Sequence, residues 1–182
     1  MKQTGMQARD AEDAEYHSGN TMLRAKILVL SDLASEGQRE DRSGPAVRHV
    51  LETHGWQVTA LVVLPDDFDQ ICDQLKAWTD SSDCDAIFTS GGTGISPRDM
   101  TPQATRSVIE TEVPGLAELM RAEGVKSTPL AALSRAVAGV RRGKLIVNLP
   151  GSPRGARESL ESIIGILPHA IDQIQGRTGH SA

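Results

Sequence analysis

The sequence predicts a three-layer α/β/α domain built on a mostly parallel sheet, with one strand of a hairpin running antiparallel to the rest. Three observations carry that expectation. Short aliphatic runs such as Lys26-Ile27-Leu28-Val29-Leu30 lack polar alternation, as strands buried on both faces do. Helical segments of about ten residues or more separate these runs, which is the spacing of right-handed βαβ crossovers. Each run ends in polar or turn-forming residues: Ser31-Asp32, Asp66-Asp67, Ser90-Gly91, and Asn148 through Pro150-Gly151-Ser152. These ends converge on one rim, the rim at which open α/β sheets bind ligands.

In chain order, residues 1–22 are polar, carry few large apolar side chains, and read as a disordered tail. The first strand follows, and residues 33–42 form a polar loop long enough to fold over a site. Ser43-Gly44-Pro45 starts a helix with Val47, Val50 and Leu51 on one face, ending near Gly55. Gln57 to Val63 is the second strand. Phe68, Ile71, Leu75 and Trp78 recur at helical spacing, which places Phe68 and Trp78 in the core with Cys72 packed beside them. Asp85 to Ser90 is the third strand, and Pro102 suits the first turn of a helix running to about Thr111. After the break at Val113-Pro114-Gly115, a short helix reaches Gly124 and residues 125–130 form a loop. Ala131 to Val140 and Lys144 to Leu149 are strands of a hairpin, with Arg141-Arg142-Gly143 as its solvated turn. From Gly155 onward Ala156, Leu160, Ile163, Ile164 and Leu167 form a helical face. Pro168 kinks it, Ile171 and Ile174 extend it to Gly176, and residues 177–182 are a C-terminal tail.

Length suits one domain, taken as residues 23–176. With 24 acidic against 19 basic residues the net charge is -5. No global positive field therefore draws the chain to nucleic acid or anionic lipid. Cys72 and Cys84 are not in a C-x-x-C arrangement, and no His/Cys cluster has zinc-ligand spacing, which argues against a disulfide or structural zinc. No run approaches the roughly 18 apolar residues of a membrane span, and the N-terminus lacks the apolar core of a signal peptide. A soluble, cytoplasmic protein is expected.

The chemistry centres on residues 90–102, a strand end, a glycine-rich turn and a helix start. Gly91, Gly92 and Gly94 leave no Cβ atoms in the way of amide N–H groups that face an anion. The same turn carries the hydroxyls of Thr93, Ser96 and Thr101, the Arg98 guanidinium and the Asp99 carboxylate. It matches neither a Walker loop nor a dinucleotide fingerprint. A carboxylate in an anion pocket calls for a cation, although Asp99 can also cap the helix that follows. Asp66 and Asp67 suit a turn as well as a site, and Asp32 and Asp41 suit loop structure. The Pro150-Gly151-Ser152 turn reads either as a helix cap or as a ligand contact on the shared rim. His49, His54 and His169 show no partner pattern.

Taken together, Thr89 to Pro102, Leu133-Ser134-Arg135 and Asn148-Leu149-Pro150-Gly151-Ser152-Pro153 closely resemble the MogA/MoaB family of molybdenum-cofactor biosynthesis proteins, which includes the gephyrin G domain. Ser31-Asp32, the run Asp41-Arg42-Ser43-Gly44-Pro45, Val63-Leu64-Pro65-Asp66 and Val113-Pro114-Gly115 add to the match. The resemblance implies molybdopterin adenylyltransferase activity, in which the molybdopterin phosphate attacks the α-phosphorus of Mg-ATP and pyrophosphate leaves. It places the family's catalytic aspartates at Asp99 and Asp66, with Mg²⁺ held by Asp99, alone or together with Asp66. Phosphate falls to Gly91, Gly92, Thr93 and Gly94, with Ser134 as a further phosphate contact. Nucleotide or pterin falls to Asn148 and Pro150, Gly151 and Ser152. Ser31, Asp32, Ser90, Ser96, Arg98 and Thr101 complete the expected substrate site. A homotrimer or larger assembly such as a hexamer is also implied, with a molybdenum-insertion protein as a partner. Two other readings share the resemblance: a non-catalytic molybdopterin carrier or scaffold, and a nucleotide hydrolase of the CinA type.

Overall fold

The structure is a computed structural model that describes residues 22–177, and the tail readings for residues 1–21 and 178–182 lie outside it. A six-stranded sheet has the order β2-β1-β3-β6-β5-β4. Its strands are β1 (Arg24–Leu30), β2 (Gln57–Leu64), β3 (Ala86–Ser90), β4 (Thr111–Glu112), β5 (Ala138–Arg141) and β6 (Lys144–Leu149). Neighbours among β2, β1, β3 and β6 are parallel, whereas β5 is antiparallel to both β6 and β4. The reversed strand is therefore β5, reached through the expected hairpin. The helices are α1 (Asp32–Ser35), α2 (Ser43–Thr53), α3 (Phe68–Asp80), α4 (Thr101–Val108), α5 (Pro114–Ser127), α6 (Pro153–Ile163) and α7 (Leu167–Ile174). 3₁₀ turns occupy Pro129–Leu133 and Ile164–Ile166.

Strand alternation makes the three layers, because successive side chains leave a strand on opposite faces. Ala25, Ile27 and Val29 face α2, α5, α6 and α7, where Val47, Leu51, Leu116, Leu160 and Ile171 complete one core. Leu28 and Leu30 face α3 and α4, which supply Ile71, Leu75, Trp78 and Val108 to the other.

Several elements depart from the sequence reading. The loop after β1 contains the short helix α1, which Ser31 caps by accepting the Ala34 N–H at 3.3 Å. Phe68 is 39% exposed rather than in the core. It is the first residue of α3, and the buried stripe of that helix begins a turn later at Ile71. Gly124 does not stop α5, which continues to Ser127 and into the 3₁₀ turn. The first hairpin strand begins only at Ala138, because the Arg135 amide is drawn away to the Thr93 carbonyl at 2.9 Å. Strand β4, too short to leave a hydrophobic pattern, pairs Thr111 with Val140 and Glu112 with Gly139. Arg141 is not in a solvated turn, since its guanidinium donates to Thr79 Oγ1 and Asp80 and is 14% exposed. The turn itself is Arg142-Gly143, both at positive φ, as tight hairpins require.

Candidate functional site

Register brings the strand ends together. Leu30 pairs with Leu64, Val29 with Ser90, and Ser90 with Leu149. The residues that follow, Ser31, Asp66, Gly91 and Gly151, therefore stand on one rim. Strand β1 lies between β2 and β3, so the connections leave it in opposite directions and a crevice opens at its carboxyl end. A cleft of about 780 Å³ occupies that place, lined by Ser31, Arg39, Asp41, Arg42, Asp66, Gly91, Gly92, Gly151 and Ser152 among others. The N-terminus of α6 opens onto it: Ser152 caps the helix through the Gly155 N–H at 3.1 Å. Unpaired amides and the aligned dipole make such a terminus favourable for an anion.

Two positions of the turn require glycine. Gly91 sits at φ +113, and a Cβ there would lie 2.2 Å from the Leu30 carbonyl oxygen. Gly92 sits at φ +62, where a Cβ would meet Thr101 Oγ1 at 2.3 Å and Asp66 Oδ1 at 2.7 Å. The Gly91 N–H is spent on the Leu149 carbonyl at 3.2 Å. Among the described residues, the amides of Gly92, Thr93 and Gly94 take no main-chain acceptor, which leaves them available to an anion. Beyond them the chain closes a tight turn. Asp99 Oδ2 accepts the Ser96 N–H at 2.7 Å, and the Asp99 N–H donates to the Ser96 carbonyl at 3.0 Å.

Three carboxylates stand near this turn in different environments. Asp32 takes the Arg98 guanidinium on both oxygens, at 2.8 and 2.9 Å from Nη2 and 3.1 Å from Nε. Its Oδ1 also accepts the Asp66 amide at 3.0 Å. The hydrogen bond from Arg98, followed by that from the Asp66 amide, holds the Asp32 carboxyl below its ordinary acidity range. Asp66 is pushed the other way. Burial is the main cause, and the charges of Asp32 and Asp99 add to it. Its Oδ1 is buried without a hydrogen-bond partner. An orphaned carboxylate oxygen suits a hard divalent cation. Mg²⁺ commonly takes one or two carboxylates and completes its shell with water and substrate phosphate. Asp66 therefore fits an oxygen-ligated cation. Among the described residues no cluster of three or more His, Cys, Asp or Glu has the geometry of an all-protein metal cage.

The predicted residues divide into groups. Ser31, Asp66, Gly91, Gly92, Gly151 and Ser152 line the cleft. Asp32 and Arg98 form an ion pair beside it, with Ser96 accepting the Arg98 N–H at 3.3 Å. Asp99 and Gly94 sit in the adjoining turn, where an added Gly94 Cβ would lie 3.0 Å from Asp99 Oδ2. Thr93 is buried, and Pro150 accepts the Ser90 hydroxyl at 2.9 Å.

Four expected site residues stand away from the cleft or have their polar groups committed elsewhere. Asn148 is 0% exposed, and its amide is committed to Thr89 Oγ1, Thr105 Oγ1 and the Val137 N–H. A fully buried carboxamide with these partners has no face for nucleotide or pterin. The Ser90 hydroxyl is spent on Pro150, and the Thr101 hydroxyl on the Gly91 carbonyl at 2.9 Å. Ser134 lines a separate cavity of about 30 Å³ with Met120, Arg121 and Ser159. Sequence reasoning gave no role to Arg39 and Arg42, cations of the cleft wall, or to Arg135, which holds the turn from behind. Arg39 and Arg42 sit in a polar stretch of mixed charge, whereas Arg135 was marked by the Leu133-Ser134-Arg135 motif.

Comparison with known proteins identifies the family. A family model described as a probable molybdopterin binding domain matches residues 26–169. The molybdopterin adenylyltransferase of Helicobacter pylori strain J99 is 41% identical over 152 residues, covering 82% of this chain and 86% of that protein. The molybdenum cofactor synthesis protein cinnamon of Drosophila melanogaster is 39% identical over 149 residues, covering 81% of this chain, which spans only 25% of that longer protein. The crystal structure of the molybdopterin biosynthesis enzyme MoaB from Thermus thermophilus is 51% identical. It superposes with a TM-score of 0.81 over 85% of this chain and 98% of that one. By sequence and by fold alike, the chain belongs to the molybdenum-cofactor biosynthesis family of molybdopterin-binding domains.

Proposed function

We propose that the protein is a molybdopterin adenylyltransferase. The observation that carries this reading is Asp66. It lines the cleft and carries a buried, unpartnered oxygen, and the neighbouring Gly92 to Gly94 amides and the α6 N-terminus suit anions. A cation demand beside an anion cradle is what a metal-bound nucleoside triphosphate satisfies. Identity of 41% to a protein named molybdopterin adenylyltransferase supports the same conclusion.

In the proposed reaction, an oxygen of the molybdopterin phosphate forms a bond to the α-phosphorus of ATP. The bond from that phosphorus to the bridging oxygen breaks, and its electron pair leaves with pyrophosphate. Asp66, with Asp99 as a second carboxylate, would hold Mg²⁺, which would supply neutralisation of phosphate charge. The chain's own contribution is positioning. The Gly92, Thr93 and Gly94 amides hold phosphate oxygens, and the N-terminus of α6 after Ser152 adds a fixed positive potential. Arg98 keeps Asp32 neutralised, and Asp32 in turn holds the Asp66 main chain.

On this reading the protein works in the cytoplasm. Among the described residues no helix is long and apolar enough to cross a membrane. The exposed apolar side chains of Leu130, Leu133 and Ile95 support the proposed homotrimer or larger assembly, which sedimentation would measure. A molybdenum-insertion protein remains the proposed recipient of the product, as the family resemblance implies.

Purified protein supplied with Mg-ATP and molybdopterin is expected to release pyrophosphate and form adenylylated molybdopterin. Binding of both ligands without product would overturn the enzyme reading in favour of a carrier. ATP hydrolysis without molybdopterin would favour a hydrolase.

A further inference from the structure

We propose that Arg135 is a positioning residue for Asp99: its guanidinium staples both ends of the 94–99 turn and fixes where the Asp99 carboxylate is presented. The inference rests on the adenylyltransferase reading of the site. Arg135 follows the 3₁₀ turn Pro129–Leu133, and its amide donates to the Thr93 carbonyl at 2.9 Å. Its side chain Nε donates to the Gly94 carbonyl and its Nη2 to the Asp99 carbonyl at 2.7 Å. A single residue thus grips the chain where it enters the turn and again where it leaves.

Burial does not hold the turn itself. Ile95, Ser96, Pro97 and Arg98 are all exposed, so no burial fixes their backbone. Closure within the turn depends on the paired bonds between Ser96 and Asp99, at 2.7 and 3.0 Å. These tie the Asp99 carboxylate to the turn but do not tie the turn to the sheet. Arg135 supplies that connection together with the solvent-exposed Arg98–Asp32 pair and the Thr101 bonds to the Gly91 and Gly92 carbonyls just beyond the turn. Of these, Arg135 alone bonds residues within the turn at both its ends. A guanidinium presents a rigid planar fork of donors that meets two carbonyls at once, whereas a lysine ammonium is a point charge on a flexible stem. Arginine is therefore the residue type this job requires.

The test uses the full chain carrying Arg135→Ala or Arg135→Lys. It follows pyrophosphate release from Mg-ATP and molybdopterin, and in parallel amide hydrogen exchange at Ser96 and Asp99. Arg135→Ala is expected to lower kcat about 10- to 100-fold, the scale of an ångström-sized misplacement. KM for ATP changes by less than kcat does, because Arg135 bonds the carbonyls of Gly94 and Asp99 and is not itself part of the cleft wall. Guanidinium ion added to Arg135→Ala restores part of kcat, while Arg135→Lys does not regain it. Exchange at Ser96 and Asp99 accelerates while exchange within β1 and β3 is unchanged. Should Arg135→Ala not fold, Arg135→Lys provides both readouts. An unchanged kcat, or a raised KM with unchanged kcat and no guanidinium rescue, overturns the positioning role. Wild-type protein that binds both ligands without turnover refutes the adenylyltransferase reading. In that case exchange decides the staple by itself: accelerated exchange upholds it and unchanged exchange refutes it.

Discussion

Replacing Asn148 with alanine is expected to cost stability rather than ligand affinity. The Asn148 side chain joins β6 to three other places: it accepts the Val137 N–H at 3.2 Å and donates to Thr89 Oγ1 at 3.0 Å and Thr105 Oγ1 at 2.9 Å. All of these groups lie in the buried interior. Truncation strands the Val137 N–H, a desolvated donor worth about 1–3 kcal/mol when left unpaired. The two threonine hydroxyls each lose a bond worth about 0.5–1.5 kcal/mol net. The expected loss is about 4 kcal/mol, and at roughly 2–4 °C per kcal/mol for a chain of this size the melting temperature should fall by about 8–16 °C. Thermal and urea unfolding of both proteins measure it, and titration with ATP well below the midpoint checks binding by the folded variant, expected to stay within about threefold of wild type. A melting temperature unchanged within about 2 °C, together with a large loss of affinity, would refute the buried-network reasoning and return Asn148 to the ligand site.

Asp99→Asn is expected to abolish most pyrophosphate release while ATP affinity and melting temperature stay near wild type, and undiminished turnover would remove Asp99 from the chemistry. Asp66→Asn tests the orphaned oxygen. Burial and the Asp32 charge raise the Asp66 carboxyl above its ordinary 3.8. Its ionisation therefore opposes folding: the penalty is absent below pH 3.8, grows as pH climbs through the raised value, and is constant above it. In EDTA the variant should melt higher than wild type at neutral pH, with the gain vanishing below pH 3.8, and it should lose Mn²⁺ binding measured by electron paramagnetic resonance. A variant less stable than wild type at neutral pH would contradict the uncompensated burial. Leu75→Ala should cost about 2–5 kcal/mol in urea unfolding because Leu75 is fully buried. Phe68→Ala should cost under about 1 kcal/mol, since its ring is partly in solvent already.

Much of the fold was legible because burial on both faces leaves an unmistakable composition. The aliphatic runs of β1, β3 and β6 have no polar alternation, and the helices α2, α3 and α6 show apolar residues at helical spacing. What stayed hidden was set by contacts distant in sequence. Strand β4 exists because Gly139 leaves room for it: a Cβ there would meet Ile109 at 2.5 Å and the Thr111 carbonyl at 2.7 Å. Nothing within Thr111 and Glu112 themselves announces a strand. The hairpin begins late for the same kind of reason, since the Arg135 amide bonds to the glycine loop and the Val137 amide to the Asn148 side chain rather than to a main-chain carbonyl of β6.

The site shows the same division in terms of charge. Glycines, hydroxyls and carboxylates at strand ends were readable as a rim because the parallel sheet brings every carboxyl end to one side. Which carboxylate needs a cation was not readable, because residue type alone does not distinguish Asp32 from Asp66. The fold separates them. Asp32 stands where Arg98 reaches it with two nitrogens, so its charge is already answered. Asp66 stands one strand over, turned under Gly92, where the absence of a glycine side chain admits the carboxylate and excludes water from Oδ1. An ionised group so placed must be neutralised by protonation or by a cation. In a cleft already favourable to phosphate, a phosphate-bound divalent cation answers both demands at once, so metal and nucleotide are expected to bind Asp66 more tightly together than either does alone.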